Sequence, residues 1–430
     1  MTSLSYNNAG EVRPDAEALA RRAVEMAARE SYGRLLAYLV TRTGDVAAAE
    51  DALGDAFLRA LEAWPRTGIP DRPDSWLMTA AKRRHIDEYR QARSAARTVA
   101  TLIDDAQRDA LTSGGEFSVE TEFPDERLKL LFLCTHPAID PAARTPLMLQ
   151  TALGIDAARI ANAFLVSPAA MGQRLTRAKT KIRQAAIRID APPEAELPQR
   201  VGAVLEAIYA AYGLGWDRAV FGSDLRWRGL SEEAIWLARL TVSFLPDEPE
   251  AKGLLALMLY CESRTPARRS GDGAYVPLSE QDTELWSRPL IDEAETLLMA
   301  ASTAGRFGRY QLEAAIQSAH SRRAYGEPVD WDAIAKLYDG LAAIAPSIGA
   351  YIGRAAAVAE AVSPDEGLRL LEDIETALAA TYQPYWALKA HLLARLGRRE
   401  EAAGAYERAI GLSEDPAVKA FLRDRMMDPK

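Results

Sequence analysis

The stretch from Gly154 to Arg188 constrains the fold most, because it predicts two helices on either side of a proline break. Asp156 can accept the free amide hydrogens of a first helical turn, and Ile160 and Phe164 lie four residues apart on one face. We therefore predict a short helix between Asp156 and Phe164. Pro168 is tolerated in the first turn of a helix but not in its interior, so a second helix begins there.

The second helix, expected to run to about Ile189, has two faces of different chemistry. Apolar side chains at three- and four-residue steps predict a buried stripe: Met171, Leu175, Ala178 and Ile182. Basic side chains recur on another face: Arg174, Arg177, Lys181 and Arg188. A short helix, a tight turn and a longer basic helix are typical of the helix-turn-helix, whose second helix enters the DNA major groove. The alternative is an ordinary helical hairpin with a solvated basic face.

Composition limits where such a DNA contact can be. The 430 residues are too many for one compact domain, and 48% hydrophobic with 26% charged residues is typical of globular chains. The net charge of −9 argues against a general nucleic-acid coat, so any DNA contact is local.

No targeting segment, membrane span, metal site or cofactor is predicted. The N-terminal residues do not resemble a signal peptide and no apolar run could span a bilayer, so we expect a cytoplasmic protein without a membrane partner. Cys134 and Cys261 lie far apart and are predicted to be buried free thiols. Cys134 and His136 alone make a weak case for a metal site.

A helix is predicted from Pro14 to Thr43, followed by a second one that Asp45 can cap. The inner stripe of the second helix is predicted to be Leu53, Phe57, Ala60, Leu61 and Trp64. Its acids, Glu50, Asp51 and Asp55, lie toward its start, where the helix dipole alone would explain them.

After a proline- and glycine-rich loop over 65–75, a basic helix is predicted to open at Trp76. Its cations are Lys82, Arg83, Arg84, Arg90, Arg93 and Arg97. Trp76, His85 and Tyr89 are flat side chains that can stack on unpaired bases. From Thr101 to Glu126 acids dominate, which predicts a flexible acidic linker. The helix-turn-helix module then has a supporting core of Leu128, Leu131, Phe132, Leu147 and Leu149.

These blocks in this order, EDALGDAFLRALEAW, SWLMTAAKRRHIDEYR and IANAFLVSPAAMGQRLTRAKTKIR, resemble the extracytoplasmic-function class of bacterial RNA polymerase sigma factors, which have only regions two and four. The resemblance implies a transcription initiation factor that is not an enzyme. Its partners would be core RNA polymerase and promoter DNA. The loop over 65–75 would capture a flipped minus-10 base.

The resemblance also implies residue roles. The polymerase interface would be Glu50, Asp51, Asp55, Phe57 and Leu61. The minus-10 contacts would be Trp76, Lys82, Arg83, Arg84, His85, Tyr89, Arg90 and Arg93. The minus-35 contacts would be Ala169, Ala170, Gln173, Arg174, Arg177 and Lys181.

Beyond the hinge APPEAELPQ, a period near 34 predicts stacked helical hairpins like tetratricopeptide repeats, with a generic helical domain as the alternative. One unit aligns on Trp386, Ala390, Ala402, Tyr406 and Ala409, and another on Tyr351, Ala355, Gly367, Leu371 and Ile374. Looser units lie around 310–346 and 231–259. A polar insert over 262–292 resembles the sigma-factor subgroup with such an extension. Its most interaction-prone residues are Arg264, Arg268, Arg269, Asp282 and Trp286.

We therefore predict an all-α chain in successive modules. They are a tail (1–12), sigma region two (13–97), the acidic linker (98–122), region four (123–191), a hinge (192–200) and a tetratricopeptide-like domain (201–430). We expect the extension to contact the sigma modules and modulate their activity. Arg268 and Arg269 would meet the linker, and Trp286 would supply apolar burial. The alternatives are a one-component helix-turn-helix regulator with a ligand- or peptide-sensing repeat domain, a pure scaffold and, least favoured, an enzyme.

Overall fold

The computed structural model describes residues 14–96, 126–164, 166–185, 187, 192–218, 229–375 and 379–428. Within these ranges all regular structure is helical apart from one isolated antiparallel bridge between Arg269 and Tyr275, which confirms the predicted all-α class. Across the same ranges, no helix combines the length and the apolar character that crossing a membrane requires. The predicted tail and acidic linker lie outside the described residues.

The chain divides into two compact units, one formed by residues 1–211 with 224–230 and the other by 212–223 with 231–430. The described residues of the first unit form seven helices and the start of an eighth. They are α1 (Pro14–Thr43), α2 (Val46–Thr67), α3 (Pro73–Ala96), α4 (Arg127–Cys134), α5 (Pro141–Leu153), α6 (Ala157–Ala163), α7 (Pro168–Gln184) and α8 (Leu197–Arg218).

Helix α2 begins as the sequence predicts and ends later. The Asp45 carboxylate accepts hydrogen bonds from the amides of Ala47 (2.9 Å) and Ala48 (3.2 Å), which satisfies two donors of the first turn. Pro65, expected in the following loop, lies inside α2, which ends at Thr67 and is followed by the capping residue Gly68 with a φ of 86°. A positive φ is costly for any residue with a Cβ, so glycine ends the helix there.

Helix α3 begins at Pro73 and not at Trp76, because a proline is compatible with the first turn, where its missing N–H has no helical partner. Helices α1, α2 and α3 pack against one another as one bundle. Its core includes Leu35, Leu36, Leu39 and Val40, all at most 3% exposed.

Helices α4 to α7 form a second set around the predicted core, and Leu128, Leu131, Phe132, Leu147 and Leu149 are all buried. Asp156 caps α6 through the amide of Arg159 at 3.0 Å, and Ser167 caps α7 through the amide of Ala170 at 3.2 Å, so the predicted break between the helices is confirmed. Helix α7 ends at Gln184, short of the predicted Ile189.

The segment 192–200, predicted to be a hinge, joins the first unit. It contains a 3₁₀ turn over Glu194–Glu196 and the first residues of α8. Arg200 is 8% exposed, and its guanidinium donates to the Thr135 hydroxyl (2.9 Å) and to the Phe132 carbonyl (2.5 Å). A cation at the C-terminal end of α4 interacts favourably with the helix dipole there, which ties the segment to the α4–α7 core.

The second unit contains the end of α8 and ten further described helices. They are α9 (Leu230–Phe244), α10 (Pro249–Ser263), α11 (Arg288–Ser302), α12 (Arg309–Ser321), α13 (Trp331–Ile344), α14 (Ile348–Ala361), α15 (Pro364–Glu372), α16 (Gln383–Arg395), α17 (Arg399–Leu412) and α18 (Pro416–Met427).

Two successive helices lie at each of the four places that the sequence period indicates, and three of these pairs pack closely: α12 with α13, α14 with α15 and α16 with α17. A single apolar core runs through α14 to α18 and includes Ala355, Leu371, Ala390 and Tyr406. Gly367 lets α15 approach α14 closely, because a Cβ there would lie 2.4 Å from the Ala359 Cβ. Tyr351, an aligned position of the same repeat, is 39% exposed and lies outside the core.

Candidate functional site

The face of α2 that we predicted to bind polymerase is partly occupied. Asp51 is exposed, as expected of a partner-binding acid. Glu50 is half-buried, and its Oε2 lies 2.5 Å from the Lys179 Nζ of α7. Burial raises the pKa of the Glu50 carboxyl, and the charge and hydrogen bond of Lys179 oppose that rise. The first turn of α2 contains no acid, so the helix dipole does not explain Glu50.

The remaining interface candidates on α2 also have contacts within the unit. Asp55 pairs with Arg84 of α3 at 2.7 Å, so two residues assigned to different partners meet each other. The Phe57 ring stacks on Tyr32 of α1 with 6.4 Å between centroids. Leu61 was predicted to belong to the inner stripe but is 39% exposed, because it lies about 100° round the helix from buried Ala60.

The predicted minus-10 residues lie along α3. Trp76 is half-buried and meets Trp64 edge to face at 5.6 Å, whereas the Lys82 ammonium lies 4.9 Å from the centre of the Tyr38 ring. Arg83 is exposed. The structure places the backbone of His85, Tyr89, Arg90 and Arg93 in the same helix, but their side chains lie outside the described residues. Of these cations, Arg83 is therefore the most accessible described one.

Helix α7 has the two faces that the sequence predicts. Met171, Leu175, Ala178 and Ile182 are buried, which confirms the apolar stripe. The opposite face is exposed at Ala169, Ala170, Gln173, Arg177 and Lys181. Arg174 differs, because it is half-buried and its guanidinium donates to the Ala142 carbonyl at 3.3 Å. It therefore supports the fold of the α4–α7 set as well as the basic face.

Sequence reasoning missed the contact between the α1–α3 bundle and the α4–α7 set. In this contact Gly33 lies against Ala152 of α5, and Tyr32 lies against Gly154 just after α5. Lys179 of α7 pairs with Glu50 of α2. Glu50 and Lys179 are 129 residues apart in the chain, so no helical period could pair them. Lys179 was not among the residues that the sequence pattern singled out.

The polar insert is packed within the second unit, contrary to the contacts we predicted for it. Trp286 is 3% exposed, so it cannot supply an exposed apolar contact. Arg268 lies 3.9 Å over the Trp216 ring, and Arg269 forms an ion pair with Asp415. The guanidinium of Arg264 donates to the Gln317 side chain at 2.6 Å. Asp282 stays exposed and caps a 3₁₀ turn through the Glu284 amide at 3.0 Å.

Neither cysteine forms a disulfide, and among the residues with described positions no group of three potential metal ligands occurs. Cys134 is buried as predicted, whereas Cys261 keeps some exposure. Burial raises the pKa of the Cys134 thiol to about 12, so the reactive thiolate is scarce at neutral pH. Cys134 therefore acts as a small apolar core residue.

Two parts of the chain match known protein families. Residues 28–95, which span most of α1–α3, match sigma-70 region 2, and residues 200–302 match a family of unknown function, DUF6596. An uncharacterized protein of Rhizobium meliloti (strain 1021) is 37% identical over 395 residues, which are 92% of each chain. No solved structure matches. A sigma-70 region 2 implies binding to core RNA polymerase in transcription initiation. The chain therefore belongs to the family of this Rhizobium meliloti protein, and its residues 28–95 match the sigma-70 region 2 domain.

Proposed function

We propose that the protein is a sigma factor of the extracytoplasmic-function type, in which α1–α3 are region two, α4–α7 are region four, and the C-terminal helices are a tetratricopeptide-like extension that modulates activity. One observation carries the proposal: a sigma-70 region 2 is followed, in the same unit, by α6 and α7, whose outer face is exposed and basic. Region two alone would bind polymerase and the minus-10 element. The α4–α7 module would add a helix that binds the minus-35 duplex upstream.

The proposed roles follow from accessibility and charge. Asp51 lies on the polymerase side of α2, and Arg83 with the following basic turns of α3 engages the minus-10 DNA. Opening the duplex needs no covalent chemistry, only a site that binds unstacked bases and backbone better than it binds paired DNA. Exposed Arg177 and Lys181 contact the minus-35 duplex together with Ala169, Ala170 and Gln173.

The extension is proposed to act on the sigma modules of its own chain. Its hairpins bury their apolar faces against one another, as repeat proteins do, and such repeats contact partners through their outer surfaces. The exposed side chains of the second unit, and not Arg268, Arg269 or Trp286, are therefore the candidates for that contact.

The first test is polymerase binding and promoter-dependent initiation. Run-off transcription with core polymerase on fragments of the source genome should give defined start sites for the wild-type chain. Asp51→Lys should weaken core-polymerase binding about tenfold or more, because it reverses a charge at the docking face. Asp55 is less suitable, since its substitution also breaks the pair with Arg84.

Glu17→Lys is the matched control, since Glu17 is an exposed acid of α1 that lies before the region-two match. Equal polymerase affinity of Asp51→Lys and Glu17→Lys would refute the α2 docking face. A wild-type chain that binds promoter DNA but never polymerase would support the one-component regulator instead.

A further inference from the structure

The polymerase side of α2 and the basic helix α7 are held together by a partly buried ion pair. The side chains of Glu50 and Lys179 are only 18% and 13% exposed. The second carboxylate oxygen of Glu50 is buried and accepts no hydrogen bond from the described residues. A weaker pair joins Arg183 of α7 to Asp45 at 3.8 Å. An acidic residue that contacts only polymerase would be expected to be solvent-exposed, as Asp51 is.

A second contact joins α1 of the bundle to the α4–α7 set. A Cβ at Gly33 of α1 would lie 1.8 Å from the Ala152 carbonyl oxygen, and its other near neighbour would be the Arg127 side chain. Both belong to the α4–α7 set. The Tyr32 ring lies between Phe57 of α2 and the Gly154 turn, where a Cβ would approach it to 2.9 Å. Two residues proposed to bind polymerase are therefore involved. Glu50 pairs directly with Lys179 of region four, and Phe57 stacks on Tyr32, which lies against the Gly154 turn.

We infer that region four covers the polymerase-binding face of region two, so that the free protein is held closed and must open before it binds core polymerase. This inference rests on the proposed function and names a regulatory state of its docking face. A sigma factor that reads two separate promoter elements must separate its two modules. The closed arrangement instead buries part of the docking face and holds α7 against region two.

The contact is suited to being displaced. The desolvation of Glu50 opposes the attraction to Lys179, as its raised pKa indicates. Gly33 provides close approach without an anchoring side chain. Polymerase, which offers its own groups to α2, can therefore replace the contact.

The closed state can be detected without polymerase. A zero-length carbodiimide, which joins an amine directly to a touching carboxylate, should link Lys179 to Glu50 in the isolated full-length chain, and peptide mass spectrometry would identify the link. Saturating core polymerase should abolish it. The exchanged pair, Glu50→Lys with Lys179→Glu, should still give a link between the same positions in the isolated chain.

Two variants open the contact by different physical means. Lys179→Glu places two acids together, and Gly33→Ala introduces a Cβ where the closed form has no room. Alanine favours helix over glycine, so Gly33→Ala should leave α1 folded, which circular dichroism would check. If the closed form holds about nine-tenths of the molecules, both variants should bind core polymerase about tenfold more tightly. Arg21→Glu, the same charge change at an exposed site on α1, should bind as the wild type does.

The possible outcomes distinguish failure of this inference from failure of the proposed function. Wild-type affinity in both folded opening variants would overturn the inference and leave the proposed function standing. A Glu50–Lys179 link that persists at saturating polymerase would do the same. Failure of the wild type and of every variant to bind polymerase would overturn the proposed function, and the inference with it.

Discussion

At the scale of single residues, Arg200 has a structural role that no sequence motif predicted. Its guanidinium closes the end of α4 through the Phe132 carbonyl and the Thr135 hydroxyl. We expect Arg200→Met to cost about 2 kcal/mol, because the apolar stem remains but buried acceptors lose a charged donor. Hydrogen exchange of the α4 amides should then become faster. Gln199→Met, at the exposed neighbouring position, is the control, and equal exchange in both variants would contradict this role.

His320 predicts a pH dependence for the second unit. Burial lowers its pKa to about 4 from an ordinary 6.5, and the charges of Arg264 and Arg323 add to the effect. Between these values the unfolded chain binds the proton that the folded chain excludes. The contribution of His320 is therefore complete above pH 6.5 and is lost as the pH falls toward 4, by up to about 3 kcal/mol.

The comparison of wild type with His320→Phe isolates this residue, because the Arg264 and Arg323 charges and the other titrating groups stay in both proteins. Phenylalanine can keep the edge-to-face contact with Trp331, now 5.4 Å between centroids. Urea unfolding at pH 7 and pH 4.5 should show a smaller loss of stability in the variant. Equal losses would rule out His320 as the source.

At the scale of elements, α7 should bind DNA through exposed cations. We expect replacement of Arg177 and Lys181 by alanine to weaken holoenzyme binding to a minus-35-dependent promoter. If both contact phosphates, the log–log salt slope should fall by about 1.8, or about 0.9 for each lost contact. Arg174 is left unchanged, since its bond to Ala142 supports the fold.

The matched control removes two exposed cations of α1, Arg21 and Arg22, in the same way. A salt slope equal to that of this control would show that α7 does not meet DNA phosphates. A changed sequence preference with an unchanged slope would instead move these two residues to base contacts.

Amphipathic period and capping residues made most elements predictable. The stripe of Met171 and Ile182 and the caps at Asp45 and Asp156 depend on near neighbours in sequence, and the structure has them as expected. The ends of α2 and α3 were misjudged at Pro65 and Pro73, because proline is allowed in more than one helical context. Tertiary partners such as Glu50 with Lys179, or Trp286 with its buried site, depend on packing that a period does not encode.

At the scale of the whole molecule, the division of the chain predicts where it can be cut. The first unit extends to residue 211, past the predicted hinge, because Arg200 belongs to the α4 core. A fragment ending at 211 should therefore keep cooperative thermal unfolding, whereas one ending at 191 should unfold at a lower temperature. Equal melting temperatures would show that the start of α8 is dispensable. The fragment ending at 211 is also the one in which to measure what the extension does to transcription.

The glycine at position 33 has a genetic consequence. Every glycine codon becomes an alanine codon by one base change, so the proposed release of α4–α7 from α1–α3 would need only a single mutation. A selection for transcription without the inducing signal should return Gly33→Ala repeatedly from independent cultures. Relatives that carry a larger side chain at this position should lack the closed state altogether and depend on some other means of restraint.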